Sequence, residues 1–148
     1  MKPLVLAYAL AAAFAGPALH AAEAPRTPLR PISECLRIDQ INEWHIVDAR
    51  TVTVRTGPRH YLVRLTADCP RLGYRPGLFF RSSPSNQAVA PERICGEVGE
   101  AVFVPHEQPP CAIQSVGLID KTAFDAYTAR ASRHGNAAEQ PTLAPPKP

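Results

Sequence analysis

Between residues 41 and 66 the chain alternates apolar and polar side chains in three successive runs, and a period of two commits those runs to half-buried antiparallel strands. Residues 41–47 (INEWHIV) put Trp44 and Ile46 on one face. Residues 51–55 (TVTVR) turn Val52 and Val54 one way and Thr51, Thr53 and Arg55 the other. Residues 60–66 (HYLVRLT) set Tyr61, Val63 and Leu65 against His60, Arg64 and Thr66. Turn-forming residues at 48–50 (DAR) and 56–59 (TGPR) join the three into a meander. Residues 78–81, 101–104 and 111–119 are further strand candidates, separated by Gly and Pro. A short helix is expected near Ser33, after Pro31. A second is expected over residues 121–131, capped by Asp120 with Phe124 and Tyr127 facing inward. The expected fold is all-β: a small antiparallel barrel-like or rolled sheet of about six strands, with a short N-terminal and a C-terminal helix.

The start of the chain carries an export signal. Lys2 precedes an uncharged apolar run, residues 4–14 (LVLAYALAAAF). Gly16 and Pro17 then break the run before the small residues 18–22, which is the layout of a secretory signal peptide. The run is shorter than the roughly 20 apolar residues that cross a bilayer, and no transmembrane segment is expected elsewhere. Cleavage after Ala21 or Ala22 divides the chain into a signal peptide (1–22), an extended lead-in (23–31), a folded domain (32–131) and a disordered Pro/Ala-rich tail (132–148). Cleavage removes only Lys2 among the charged residues, leaving 15 basic and 13 acidic side chains and a net charge of +2. So small a charge argues against a nucleic-acid partner. A monomer in the periplasm or outside the cell is expected.

Cys35, Cys69, Cys95 and Cys111 make an even set in an exported chain, which reads as two structural disulfides. Their spacing contains neither a C-x-x-C redox motif nor the close pairs of a zinc knuckle. Three pairings are open. Cys35–Cys111 with Cys69–Cys95 is the expected one, because residues 35–38 and 111–114 begin elements able to run side by side.

No catalytic motif stands out. His45, His60 and His106 lack metal-ligand spacing and His134 falls in the expected tail, so unrelated surface histidines outweigh a metal site, and no metal or cofactor is expected. Ser82, Ser83 and Ser85 lie in a Pro-containing loop outside any G-x-S-x-G elbow. The carboxylate pairs Glu97/Glu100 and Glu92/Glu97 read as solvated turn residues. Charge placement is more informative. Eight arginines and two acids lie between Arg50 and Arg93, whereas residues 94–120 hold four acids and no Lys or Arg. Arg55 and Arg64, with Arg50 and Arg59 at the turns, form a candidate anion-binding face on the outside of the 51–66 hairpin. The competing reading is that they only keep the sheet soluble.

In order along the chain, Cys35-x-x-Ile38, Trp44-x-x-Val47-Asp48-x-x-Thr51-x-x-Val54, Tyr61-x-Val63-x-Leu65-x-x-x-Cys69, Ile94-Cys95-Gly96-Glu97 and Cys111-x-Ile113 are similar to a family of small exported proteobacterial proteins that carries only a domain-of-unknown-function label. The resemblance spans residues 35–118. The family often has Asp after Cys-Gly where this chain has Glu97. It implies the domain limits and a framework role for the cysteines, and no activity. The expected function is therefore a non-enzymatic binding or structural module of the cell envelope, acting on an envelope partner or an anionic envelope component. The alternative is an inhibitor or accessory subunit that docks on another periplasmic protein, and an enzyme is least favoured.

Overall fold

The computed structural model describes residues 31–72, 77–103 and 109–139. The expected signal peptide, residues 23–30 of the expected lead-in, His106 and residues beyond 139 lie outside them. The order is β1 (Leu36–Arg37), β2 (Ile41–Asp48), β3 (Thr51–Thr56), β4 (Arg59–Leu65), β5 (Phe79–Arg81), α1 (Pro84–Gln87), β6 (Arg93–Ile94), β7 (Ala101–Phe103), β8 (Cys111–Ile119), α2 (Lys121–Thr128) and β9 (Arg133–Asn136). Seven strands form one antiparallel sheet in the order β5-β7-β8-β4-β3-β2-β9, curled into a half-barrel, and β1 with β6 forms a separate two-stranded ribbon. The mainly β fold and the 41–66 meander are as the alternation requires. The N-terminal element is a single 3-10 turn, Ile32–Glu34. The C-terminal helix stops at Thr128, and the Asp120 carboxylate caps it by accepting the Ala123 N–H at 2.8 Å.

The inner face collects Trp44, Ile46, Val52, Val54, Tyr61, Val63 and Leu65, all buried. In β8 the inward residues are Ile113 and Val116, an odd spacing for a strand. Leu65 pairs with Ile113 but Arg64 with Ser115, so Gln114 is the extra residue of a β-bulge that resets the alternation. The outer face departs from expectation. Helix α2 lies across it, and Phe124 makes ring contacts with His45 (5.4 Å between centroids) and His60 (4.6 Å). Thr51 and Thr53, expected in water, are buried.

Two further expectations are corrected. The disulfides are Cys35–Cys95 and Cys69–Cys111. Leu36 pairs with Ile94 across the β1–β6 ribbon, which sets Cys35 opposite Cys95 with their Cα atoms 4.5 Å apart. The neighbour of β4 is β8 and not β6, so Cys69, just beyond β4, meets Cys111 at the start of β8. The folded domain also continues past residue 131. Ser132 donates its N–H to the Ile46 carbonyl at 2.8 Å, and β9 then pairs with β2 from Ile46↔Arg133 to Glu43↔Asn136.

Candidate functional site: an arginine-lined cavity

Period two continues into the β3–β4 turn. It puts Thr56 on the inner face with Val54, and Arg59 on the inner face with Tyr61. Arg59 therefore leaves the expected outer face and points to the end of the half-barrel, where the β1–β6 ribbon stands. There a cavity of about 350 Å³ is lined by Ser33, Arg37, Gln40, Thr56, Arg59 and Arg93, with Cys35 and the buried Tyr61 also in its wall. Arg37 and Arg93 are direct cross-strand partners. Like charges placed opposite one another cost stability, and Arg59 brings a third guanidinium.

Two backbone carbonyls hold this cluster in place. Arg93 Nη1 donates to the Ile32 carbonyl at 2.7 Å, and Arg59 Nη1 donates to the Ser33 carbonyl. Arg37 forks onto Asp39 (2.5 and 3.1 Å), and Glu92 Oε1 stands 4.0 Å from Arg93 Nε. Neither acid lines the cavity, and Arg59 pairs with no carboxylate among the described residues. Several guanidinium donors thus remain unpaired beside the Ser33 and Thr56 hydroxyls and the Gln40 amide. Such a setting receives oxygen-rich anions.

Of the other arginines of the expected face, Arg50 and Arg64 share the wall of a second cavity, of about 610 Å³, with Asp48 and Asp68, while Arg55 stands apart. Arg55 is bound to Glu43 by two contacts (2.9 and 3.1 Å), and that guanidinium holds the Glu43 carboxyl below its ordinary range. Arg50 donates to the Thr66 carbonyl at 2.6 Å and lies 3.4 Å from Asp68. Arg64 is exposed, and its side chain makes no hydrogen bond or ion pair among the described residues. Since Thr51 pairs with Arg64 and Arg55 with His60, Arg55 and Arg64 sit at opposite ends of the hairpin, about 13 Å apart.

A profile for a family of unknown function, DUF6491, matches residues 1–135. The chain belongs to the DUF6491 family. No curated protein and no solved structure matches it. The DUF6491 match covers the whole cavity wall and both disulfides, and it runs through Gly135 in β9. It therefore includes a second polar cluster that the sequence did not reveal.

In that cluster His134 leaves the expected tail. Its Nδ1 lies 2.8 Å from Nδ1 of His45, across the β2–β9 pair. Gly135 follows because Trp44 leaves no room: a Cβ there would lie 2.1 Å from Trp44 Cε2 and 2.6 Å from Glu139 Oε2. The metal grouping of His45, His60 and His106 is not assembled among the described residues: Phe124 contacts both His45 and His60, and His106 is not described. Burial pushes the His45 imidazole below its ordinary value and His134 adds to this, against the opposing pull of Glu43. The hydrogen bond needs one protonated and one bare Nδ1, so double protonation breaks it.

His45 thus binds a proton more readily in the unfolded chain. Its contribution to stability is present above pH about 6.5 and is lost as pH falls below it. Because His134 lies on β9, amide exchange in Arg133–Asn136, corrected for intrinsic rates, should speed up on acidification before exchange in β3 and β4 does. Simultaneous loss of protection in all three strands would contradict a local His45–His134 clasp.

Glu97 and Glu100 also differ from the solvated pair expected. Glu100 is fully buried, its carboxylate accepting the N–H groups of Cys95 (2.8 Å), Gly96 (2.6 Å) and Glu97 (2.9 Å). Glu97 accepts from the Ser83 hydroxyl and the Asn86 amide, both at 3.1 Å. Ser83 in turn caps α1, so its hydroxyl serves a turn. These groups close loops and are bonded to one another.

Proposed function

We propose that this DUF6491 protein is an exported, non-enzymatic binding module of the cell envelope. The observation that carries the reading is the contrast between its polar clusters. Glu43 is engaged by Arg55, His45 by His134, and Glu100 by three backbone amides. Among the described residues, the arginine-lined cavity combines unpaired donors with open space and a lining free of carboxylates, whereas the cavity around Arg64 has Asp48 and Asp68 in its wall. Two disulfides, and the lack among the described residues of any helix long and apolar enough to cross a membrane, are compatible with a protein outside the cytoplasm.

A second reading, a subunit that docks on another envelope protein, draws support from two bare valines. Val98 is 97 % exposed and Val89 80 %. Their loops adjoin, because a Cβ on Gly99 would touch the Pro84 ring at 3.0 Å.

Mature protein incubated with envelope extract and washed at low salt tests both readings. The expected result is retention of a small anionic molecule, released unchanged by high salt and identified by mass spectrometry. Retention of one protein instead, lost on changing Val89 and Val98 to Ser, would favour docking. A chemically altered eluate would overturn the non-enzymatic reading.

A further inference from the structure

The geometry points to a phosphate-type oxyanion as the ligand of the arginine-lined cavity. This inference rests on the binding-module reading and adds the site and the ligand class. Its basis is the convergence of like charge from separate elements: Arg37 from β1, Arg93 from β6 and Arg59 from the start of β4. Setting two arginines directly opposite each other and adding a third is repulsive, and two nearby acids, Asp39 and Glu92, offset only part of the three positive charges. An anion between them turns the repulsion into attraction.

The cluster is also built to persist without ligand. The Ile32 and Ser33 carbonyls each fix one Nη1 group, and the Cys35–Cys95 bond locks the register that sets Arg37 against Arg93. Preorganised donors lose little freedom on binding. Guanidinium forks match the paired oxygens of a phosphate, and the Ser33 and Thr56 hydroxyls and the Gln40 amide can meet its remaining oxygens. A cavity of about 350 Å³ exceeds the needs of the phosphate group alone, so a phosphomonoester on a small polar body fits as well as the free ion. The acids that offset part of the charge, Asp39 and Glu92, stay outside the lining and leave the oxyanion position free of carboxylates.

The test is calorimetric titration of the mature protein with inorganic phosphate at low ionic strength, with vesicle pelleting as a second arm. One saturable site per chain is expected. Arg59→Ser should weaken it at least tenfold, and Thr56→Val, which leaves the arginines in place, severalfold. Arg64→Ser removes an equal charge from the far end of the hairpin and should leave the affinity within twofold. Thermal melts verify that each variant is folded, and Thr56→Val keeps the test decisive should Arg59→Ser unfold the Ile32–Glu34 turn. Pelleting with phosphatidic acid vesicles but not with phosphatidylcholine vesicles would place the phosphate on a lipid headgroup; phosphate binding without pelleting would place it on a soluble ligand. Equal losses in Arg59→Ser and Arg64→Ser would overturn the site in favour of diffuse charge attraction. No phosphate binding in either arm, with a non-phosphorylated anion still recovered from envelope extract, would overturn the ligand class and leave the binding-module reading standing.

Discussion

Replacing Cys69 and Cys111 together by Ala is expected to lower the unfolding free energy by about 4 kcal/mol, the loop-entropy value for a separation of 42 residues. Cys35–Cys95, with a separation of 60, is worth a similar amount, about 4 kcal/mol. Against a total of about 5–15 kcal/mol for an ordinary domain, either loss is large. The two closed loops interleave in sequence, so their effects should not add in full. The consequences should nevertheless differ in kind. Opening Cys69–Cys111 loosens the junction of β4 and β8 and leaves the arginine cavity built. Opening Cys35–Cys95 frees the ribbon that carries Arg37 and Arg93, so anion affinity should fall along with stability. Urea unfolding with phosphate titration on both double variants separates the two. A change below about 1 kcal/mol in both would contradict the framework role.

Glu100→Gln is expected to cost about 2–3 kcal/mol, because the new amide nitrogen faces backbone N–H groups that the carboxylate now accepts. Burial raises the Glu100 carboxyl above its ordinary range, against the opposing pull of those three N–H groups. A raised value means that the associated stability is fully present below the unfolded-state pKa, about 4.3, and is lost as pH rises through the folded-state value. The gap between wild type and Glu100→Gln should therefore narrow from acid to neutral pH. This trend runs opposite to that of His45, so the two groups are distinguishable in a pH series of denaturation curves. A pH-independent gap would contradict the buried carboxylate.

The parts of this fold that announce themselves in the sequence are those whose side chains alternate. The 41–66 meander is legible because one face of each strand is apolar, and the Asp120 cap marks the start of α2. Strand β9 is not legible: Arg133-His-Gly-Asn has no apolar side chain, and it joins the sheet through backbone bonds, the His45–His134 contact and a glycine that fits against Trp44. The β1–β6 ribbon is too short, at two residues per strand, to show any period. Its pairing decides the rest. Once Cys35 is set opposite Cys95, counting two residues along each strand brings Arg37 opposite Arg93, and alternation through Thr56 and Arg59 adds the third guanidinium. The expected pairing with Cys111 separates those residues and leaves the exposed side of the hairpin as the one cationic face that alternation reveals. Helix α2 covers part of that side, and Glu43 engages Arg55 there.

On the binding-module reading, the anion-binding capacity of this chain is concentrated in one cavity at the end of the half-barrel. Nitrogen-15 NMR of residues 23–148 titrated with inorganic phosphate reads this out residue by residue. Saturating shifts should be confined to the Ser33, Arg37, Gln40, Thr56, Arg59 and Arg93 signals, the Arg59 and Arg93 Nε–H groups moving most. Shifts centred on Arg50, Arg64 and Asp68, or unsaturating shifts spread over every exposed arginine, would contradict it.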